Sequence, residues 1–307
     1  MELRHLRYFL AVAEELHFTR AAARLGMAQP PLSQQIQQLE REVGAPLFHR
    51  SGRGVALTEA GRQLAGDARE ILRLTEAALA GARRAARGET GTIRIGFTAS
   101  ASFNPFVIGS IRDYRAAFPD VEVVLTEENT ANLLALFRTR RLDAAFLRPA
   151  DGEAGDLAGH DLPAEPMMVA LPHGHRLAAL EAVPLAALAG ETFILYPRRN
   201  GRGLFDAIMQ ACRAAGFSPR IGQEAPQMAS TVNLIAAGIG ISIVPASMSH
   251  IRTLGVTYRP IDGDGPVAAM SLLSQDGDSP ATVAAFVALV TRRAGDTDLG
   301  TDRPKSV

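Results

Sequence analysis

Residues 18–57 read FTRAAARLGMAQPPLSQQIQQLEREVGAPLFHRSGRGVAL, and this stretch decides how the N-terminal part of the chain folds. Its first half has the pattern of two short helices meeting at a tight corner. Leu16, Ala22 and Leu25 form the apolar side of the first helix. Gly26 stands where that helix must stop, because a residue without Cβ adopts the left-handed cap conformation at little cost. Pro30 and Pro31 fit only the first turn of a following helix. In it, Leu32, Ile36 and Leu39 recur at helical spacing. That leaves Gln29, Ser33, Gln34, Gln37 and Gln38 on the outer faces. Such a row of uncharged donors and acceptors suits the reading of base edges in a major groove. Two ordinary surface helices with a polar face would carry the same pattern.

The second half of the stretch predicts a β-hairpin over Phe48–Leu57 with a glycine-rich tip. Phe48, Val55 and Leu57 face inward, and Arg50 and Arg53 project from the turn. Arginines on a hairpin beside a helix-turn-helix meet phosphates, which positions a protein on the duplex without reading sequence. Upstream, Leu3–Glu15 reads as a helix with Leu6, Phe9, Leu10 and Ala13 on one face, packed behind the other two.

This combination resembles the LysR-type transcriptional regulators. The resemblance rests on Leu6-Arg7-Tyr8-Phe9, Phe18-Thr19, Ala21-Ala22, Leu25, Gln29-Pro30, Leu32-Ser33, Ile36, Leu39-Glu40, Gly44, Leu47-Phe48, Arg50 and Leu57-Thr58-Glu59-Ala60-Gly61. It implies a winged helix-turn-helix over 1–58, with Gln29, Pro30, Ser33, Gln34, Gln37, Arg50 and Arg53 against double-stranded DNA bearing an interrupted inverted repeat.

Net formal charge is zero over 307 residues, so no global field draws the chain to nucleic acid. DNA affinity then has to come from placed contacts and from doubling by dimerisation. Cys212 is the only cysteine, which excludes an intrachain disulfide and fits a reducing cytoplasm. It also sets the chain apart from the cysteine-pair redox sensors of that family. No stretch has the pattern of a secretory signal or approaches the roughly 18 apolar residues of a membrane span.

Residues 59–88 predict a long helix in which Leu57, Leu64, Ile71 and Ala78 are spaced by sevens. A second copy of the chain is the natural partner for that stripe, against the alternative of packing on its own domain. The resemblance implies a homodimer through this helix, extended to a tetramer, with RNA polymerase left open as a further partner. Gly88-Glu89-Thr90-Gly91 then marks a hinge.

From there strands and helices alternate, which predicts an α/β domain over 89–294. Lobe I is expected at about 91–162 and 267–294, and lobe II at about 163–266, together resembling type 2 periplasmic binding proteins. The polar segment 295–307 holds no core pattern and is expected to be a disordered tail.

Ligands in open parallel sheets bind beyond the carboxyl ends of strands, at helix starts. Three segments meet that condition: Thr98–Ser102, Asn129-Thr130 and Arg198–Gly203. Ser100 and Thr130 match family positions that hold a dicarboxylate in the branch controlling aromatic-compound degradation. That branch is also matched by Ile95-Gly96-Phe97, Pro119 and Gly240–Pro245. The expected effector residues are Ser100, Ser102, Thr130, Arg148, Arg202 and Gly203, serving a small anionic ligand such as an aromatic acid or a diacid from aromatic breakdown. Ser100 and Thr130 would equally serve as helix caps. Arg148 either lines the cleft or pairs with a carboxylate such as Asp143. His173 and His175 lack a third ligand, no cofactor is implied, and no catalytic motif is present. The alternative reading is a small-molecule-binding protein or enzyme carrying an accessory helix-turn-helix domain.

Overall fold

The computed structural model describes residues 1–52, 54–250, 253–277 and 279–301. The chain forms two compact units, and the first ends at Arg84, inside the long helix.

In the first unit, α1 (Leu3–Glu15), α2 (Phe18–Arg24) and α3 (Gln29–Val43) pack around Leu6, Phe9, Leu32, Ile36 and Leu39, all at most 2% exposed. Gly26 and Gly44 take φ of +65° and +78° just past the ends of α2 and α3, the conformation their lack of a side chain permits. The hairpin β1 (Phe48–Ser51) and β2 (Gly54–Leu57) pairs Phe48 with Leu57 and Ser51 with Gly54. The start of α4 (Glu59–Ala86) joins the same core through Ala65 and Ala68. Further along, Leu74 and Leu79 are 52% and 55% exposed. The helix therefore continues past the point where this unit can cover its apolar stripe.

The second unit opens with β3 (Gly91–Phe97), α5 (Pro105–Ala117), β4 (Val121–Glu127), α6 (Thr130–Arg138) and β5 (Ala144–Leu147). Its three strands pair in parallel with β3 in the centre, as the βαβαβ order predicts. The long strand β6 (Ala158–Pro172) follows, then β7 (Val183–Pro184), β8 (Thr192–Leu195), α7 (Arg202–Ala214), β9 (Arg220–Glu224) and α8 (Met228–Ala236). β10 (Ser242–Pro245), β11 (Val256–Asp262), β12 (Val267–Ser274) and α9 (Ala281–Thr301) complete the unit.

Two strands join the lobes. β12 returns antiparallel to β5, and β6 pairs with β12 along Ala158–Pro166 before turning to β10 and β11 along Met167–Pro172. The border between lobes thus falls within β6, beyond the expected Pro163. Lobe I centres on Ile93, Ile95, Tyr114, Phe146 and Phe286, and lobe II on Val169, Phe193, Leu195, Ile208 and Cys212.

One expectation differs from the structure, and one position gains a packing role. Gly88, the first residue of the expected hinge segment, is buried at φ +69°, where a Cβ would lie 2.4–2.6 Å from the backbone of Ala281 and Thr282. It seats the start of the second unit on α9. Residues 295–301, expected in a disordered tail, continue α9, while 302–307 lie outside the described residues.

Candidate functional site

Two surfaces collect the residues singled out in the sequence. On the first unit, α3 begins with no side-chain cap from Ala28, and Pro30 sits in its opening turn. The Gln29 amide donates to Ser33 Oγ at 2.8 Å, so these two polar groups form one presented pair. Gln29, Ser33, Gln37 and Arg50 line a groove of about 500 Å³ between α3 and the hairpin. Pro30 and Gln34 are exposed on the same helix but outside that groove. Arg53 lies outside the described residues. Arg24 pairs with Glu14 at 2.7 Å, whereas Arg50 has no carboxylate partner among the described residues.

Three groove residues were not anticipated: His17, His49 and Glu40. Glu40 Oε1 accepts the backbone N–H groups of Leu47 at 2.8 Å and Phe48 at 3.2 Å, tying the hairpin to the last turn of α3. On the other strand the Val55 N–H donates to the Leu16 carbonyl at 3.0 Å. Gly54 permits that approach, since a Cβ there would lie 2.4 Å from the same oxygen. Both anchors join separate elements, the second across 39 residues, and a local spacing rule carries no signal for them.

The second surface is a cavity of about 710 Å³ in the second unit, at the carboxyl ends of β3 and β4. From lobe I it is lined by Thr98, Ser100, Ser102, Phe103, Glu127, Glu128, Asn129, Thr130 and Arg148. From lobe II come Tyr196, Asn200, Gly201, Leu204 and Pro226–Ala229. The starts of α6 and α8 both open onto it, so N–H groups of their first turns lack helical partners there. The Asn129 side chain caps α6 through the Asn132 N–H at 3.0 Å, which leaves the Thr130 hydroxyl out of capping. Thr130 is 3% exposed, and its hydroxyl has no hydrogen-bond partner among the described residues. Across the cavity a Cβ on Gly201 would sit 3.2 Å from that oxygen, so the lobes nearly meet at this point.

Arg148 is 4% exposed and spends its donors on the protein. Nη2 reaches Glu165 Oε1 at 2.5 Å, Nη1 the carbonyls of Ala268 and Ala269 at 2.5 and 3.3 Å, and Nε the Ser100 hydroxyl at 3.3 Å. Glu165 also accepts from Asn104 Nδ2 at 2.9 Å and the Ser247 N–H at 2.7 Å. Burial pulls the Arg148 pKa down while Glu165 raises it, and a guanidinium stays charged throughout. Asp143, the alternative partner considered from sequence, pairs instead with Arg94 at 2.8 Å. Ser102 lines the cavity with its hydroxyl donated to the Ala99 carbonyl at 2.7 Å.

The arginines of the third segment point elsewhere. Arg198 holds Asp206 through two bonds of 2.7 and 2.8 Å, and Arg199 lies 3.7 Å from Glu224. Arg202 is exposed, and neither it nor Gly203 lines the cavity; Asn200 and Gly201 do. Gly203 has a packing role, because a Cβ there would lie 2.3 Å from the Arg148 carbonyl. The hydroxyl of the half-buried Tyr196, its pKa raised by desolvation, donates to the Gly201 carbonyl at 2.7 Å and accepts from the Phe205 N–H at 3.1 Å. His175 packs against Glu191 at 3.3 Å, and no cluster of metal-ligating side chains occurs among the described residues. No helix among them is long and apolar enough to cross a membrane.

Comparison with known proteins matches both units. Residues 3–62 fit the model of the bacterial regulatory helix-turn-helix protein, lysR family, and residues 86–295 fit the LysR substrate binding domain. The chain is 42% identical over 273 residues to the uncharacterized HTH-type transcriptional regulator YnfL of Escherichia coli (strain K12), covering 89% of this chain and 92% of that one. It is 40% identical over 261 residues to the HTH-type transcriptional regulator BudR of Raoultella terrigena, covering 85% and 90%. Among solved structures, full-length CbnR complexed with its target DNA matches with a TM-score of 0.81 and 29% identity, over 96% of this chain and 100% of that chain. The relatives are named as transcriptional regulators, not enzymes.

Proposed function

The chain belongs to the LysR family of ligand-responsive, DNA-binding transcriptional regulators, and from that premise we propose that it senses a small carboxylate held between its two lobes. The observation that carries the reading is Thr130, a residue 3% exposed on the cavity wall, whose hydroxyl is bonded to no described residue and is left to the cavity. A carboxylate would accept from Thr130 and Ser100 and from the open N–H groups at the starts of α6 and α8. Ser102 and Arg148 shape the wall around it, and Asn200 and Gly201 of the loop before α7 close it from lobe II. Binding both lobes at once favours one lobe orientation, by an amount set by the ligand's differential affinity for the two states.

On DNA, Gln29 and Ser33 contact base edges, with Pro30, Gln34 and Gln37 along the same helix, and Arg50 and Arg53 contact phosphates. Two copies meet through the exposed apolar face of α4 around Leu74 and Leu79, and bind an interrupted inverted repeat in the cytoplasm. Effector domains then join dimers into a tetramer.

Footprinting of the full-length protein on the DNA upstream of its own gene, with and without candidate acids, tests the reading. A protected inverted repeat whose pattern changes with one acid is expected. Calorimetry should then show weaker binding of that acid to Ser100→Ala and Thr130→Val, each of which removes a hydroxyl from a partly dry site. Equal binding by parent and both variants would put the site elsewhere.

A further inference from the structure

We infer that the effector is a monocarboxylate with an apolar body, and that diacids are rejected. The inference rests on the cavity being the effector site, and comes from its charge inventory. Arg148 is the one cationic side chain on the described wall, and it is not available for a second anionic group. Its Nη2 is engaged by Glu165 at 2.5 Å, its Nη1 by two carbonyls, and its Nε by Ser100. Turning it toward a ligand would leave the Glu165 carboxylate, 13% exposed, without its cation.

The remaining charges on the wall are negative. Glu127 ends β4 and Glu128 follows it, both exposed at the rim. Glu128 accepts from the Asn132 amide at 2.9 Å, and neither carboxylate has a cation within ion-pair distance among the described residues. One carboxylate is served by the Thr130 and Ser100 hydroxyls and the two helix starts. A second, on a rigid small molecule, finds no uncommitted cation on the wall: it meets either the rim, where these carboxylates stand among the uncharged Asn200 and Gln227, or the apolar side of the cavity. That side is made by Phe103, Leu204, Pro226 and Met228, and the Tyr196 hydroxyl beside them is spent on Gly201 and Phe205. Neither place compensates the desolvation of a second charge. The same apolar surface suits an aromatic or branched aliphatic body, which gains from leaving water.

Calorimetry of the full-length protein at low salt tests this with two skeleton-matched pairs, benzoate against terephthalate and hexanoate against adipate. At least one monoacid should bind about tenfold or more tighter than its diacid, a difference of about 1.4 kcal/mol. In the Glu127→Gln/Glu128→Gln double variant the ratio of monoacid to diacid affinity should fall several-fold, and the effect should fade above about 0.5 M salt as screening removes the rim field. A diacid that binds as tightly as its monoacid, or a ratio that ignores the double substitution, overturns the inference while leaving the carboxylate reading intact. If none of the four acids binds, the carboxylate reading itself fails, and the inference with it.

Discussion

Replacing Glu40 with alanine should loosen the hairpin without disturbing the helix that carries it. Glu40 lies within α3, where alanine is the best helix former, so local propensity does not oppose the change. What is lost is the shared acceptor of two backbone donors. Leu47 is fully buried, and its N–H, 2.8 Å from Glu40 Oε1, would be left without a partner. An orphaned buried donor costs about 1–3 kcal/mol. The Phe48 bond is longer, at 3.2 Å, and Phe48 is only partly buried, so water compensates there. The sum is about 2 kcal/mol, which corresponds to roughly a 30-fold rise in local opening. Hydrogen exchange of the full-length protein should report that rise in the peptide spanning Leu47 and Phe48. Glu40→Gln keeps a carbonyl oxygen in the same place and should cost less than about 1 kcal/mol. On DNA, Glu40→Ala should weaken matched and mismatched sites alike and flatten the salt dependence, because it misplaces a phosphate-contacting element. Unchanged protection of Leu47 and Phe48 in Glu40→Ala would refute the assignment of Glu40 as the hairpin's anchor.

Gln29→Ala should relax preference at particular base pairs by about 1–3 kcal/mol, whereas Arg50→Ala should weaken all sequences equally, and a sequence-selective loss from Arg50→Ala alone would reverse the two roles. Substituting Leu74 and Leu79 together by glutamate should halve the sedimenting mass at micromolar concentration, since both lie on the uncovered part of α4. Arg148→Met should destabilise the second unit by about 3–5 kcal/mol in thermal unfolding, because it strands the Glu165 carboxylate, and adding Glu165→Gln should recover part of that loss. Burial pushes the Cys212 thiol up to about 11, so it stays neutral at pH 8 and should resist alkylation until the protein is unfolded.

The features visible in the sequence were those with a local physical signature. Gly26, Pro30 and the recurrence of Leu32, Ile36 and Leu39 announce a helix-turn-helix because caps and the 3.6-residue period act within a few residues. The alternation over Ile93–Leu147 announced parallel strands with crossover helices, and the strand ends pointed to Ser100 and Thr130. β9 and the first half of β6 lack such a signature. β9 is exposed along its whole length and carries no buried face, and β6 carries the polar His160 and Asp161 near its start, ordered by their register against Leu272 and Ser271 of β12. Charge pairing was equally beyond reach of spacing. Arg148 sits one residue past β5 and close in sequence to Asp143, yet it meets Glu165, because β6 crosses between the lobes where β5 ends. That meeting pairs the cavity-lining Arg148 with a carboxylate from a distant strand. Likewise spacing alone left the arginines at 198, 199 and 202 between a solvated loop and an anion site, and folding set Asp206 and Glu224 beside two of them and turned the third to solvent. Short-range backbone preferences are written in the order of residues. The sign of the charge a cavity presents depends on which side chains from distant segments arrive together, and only the tertiary fold decides that.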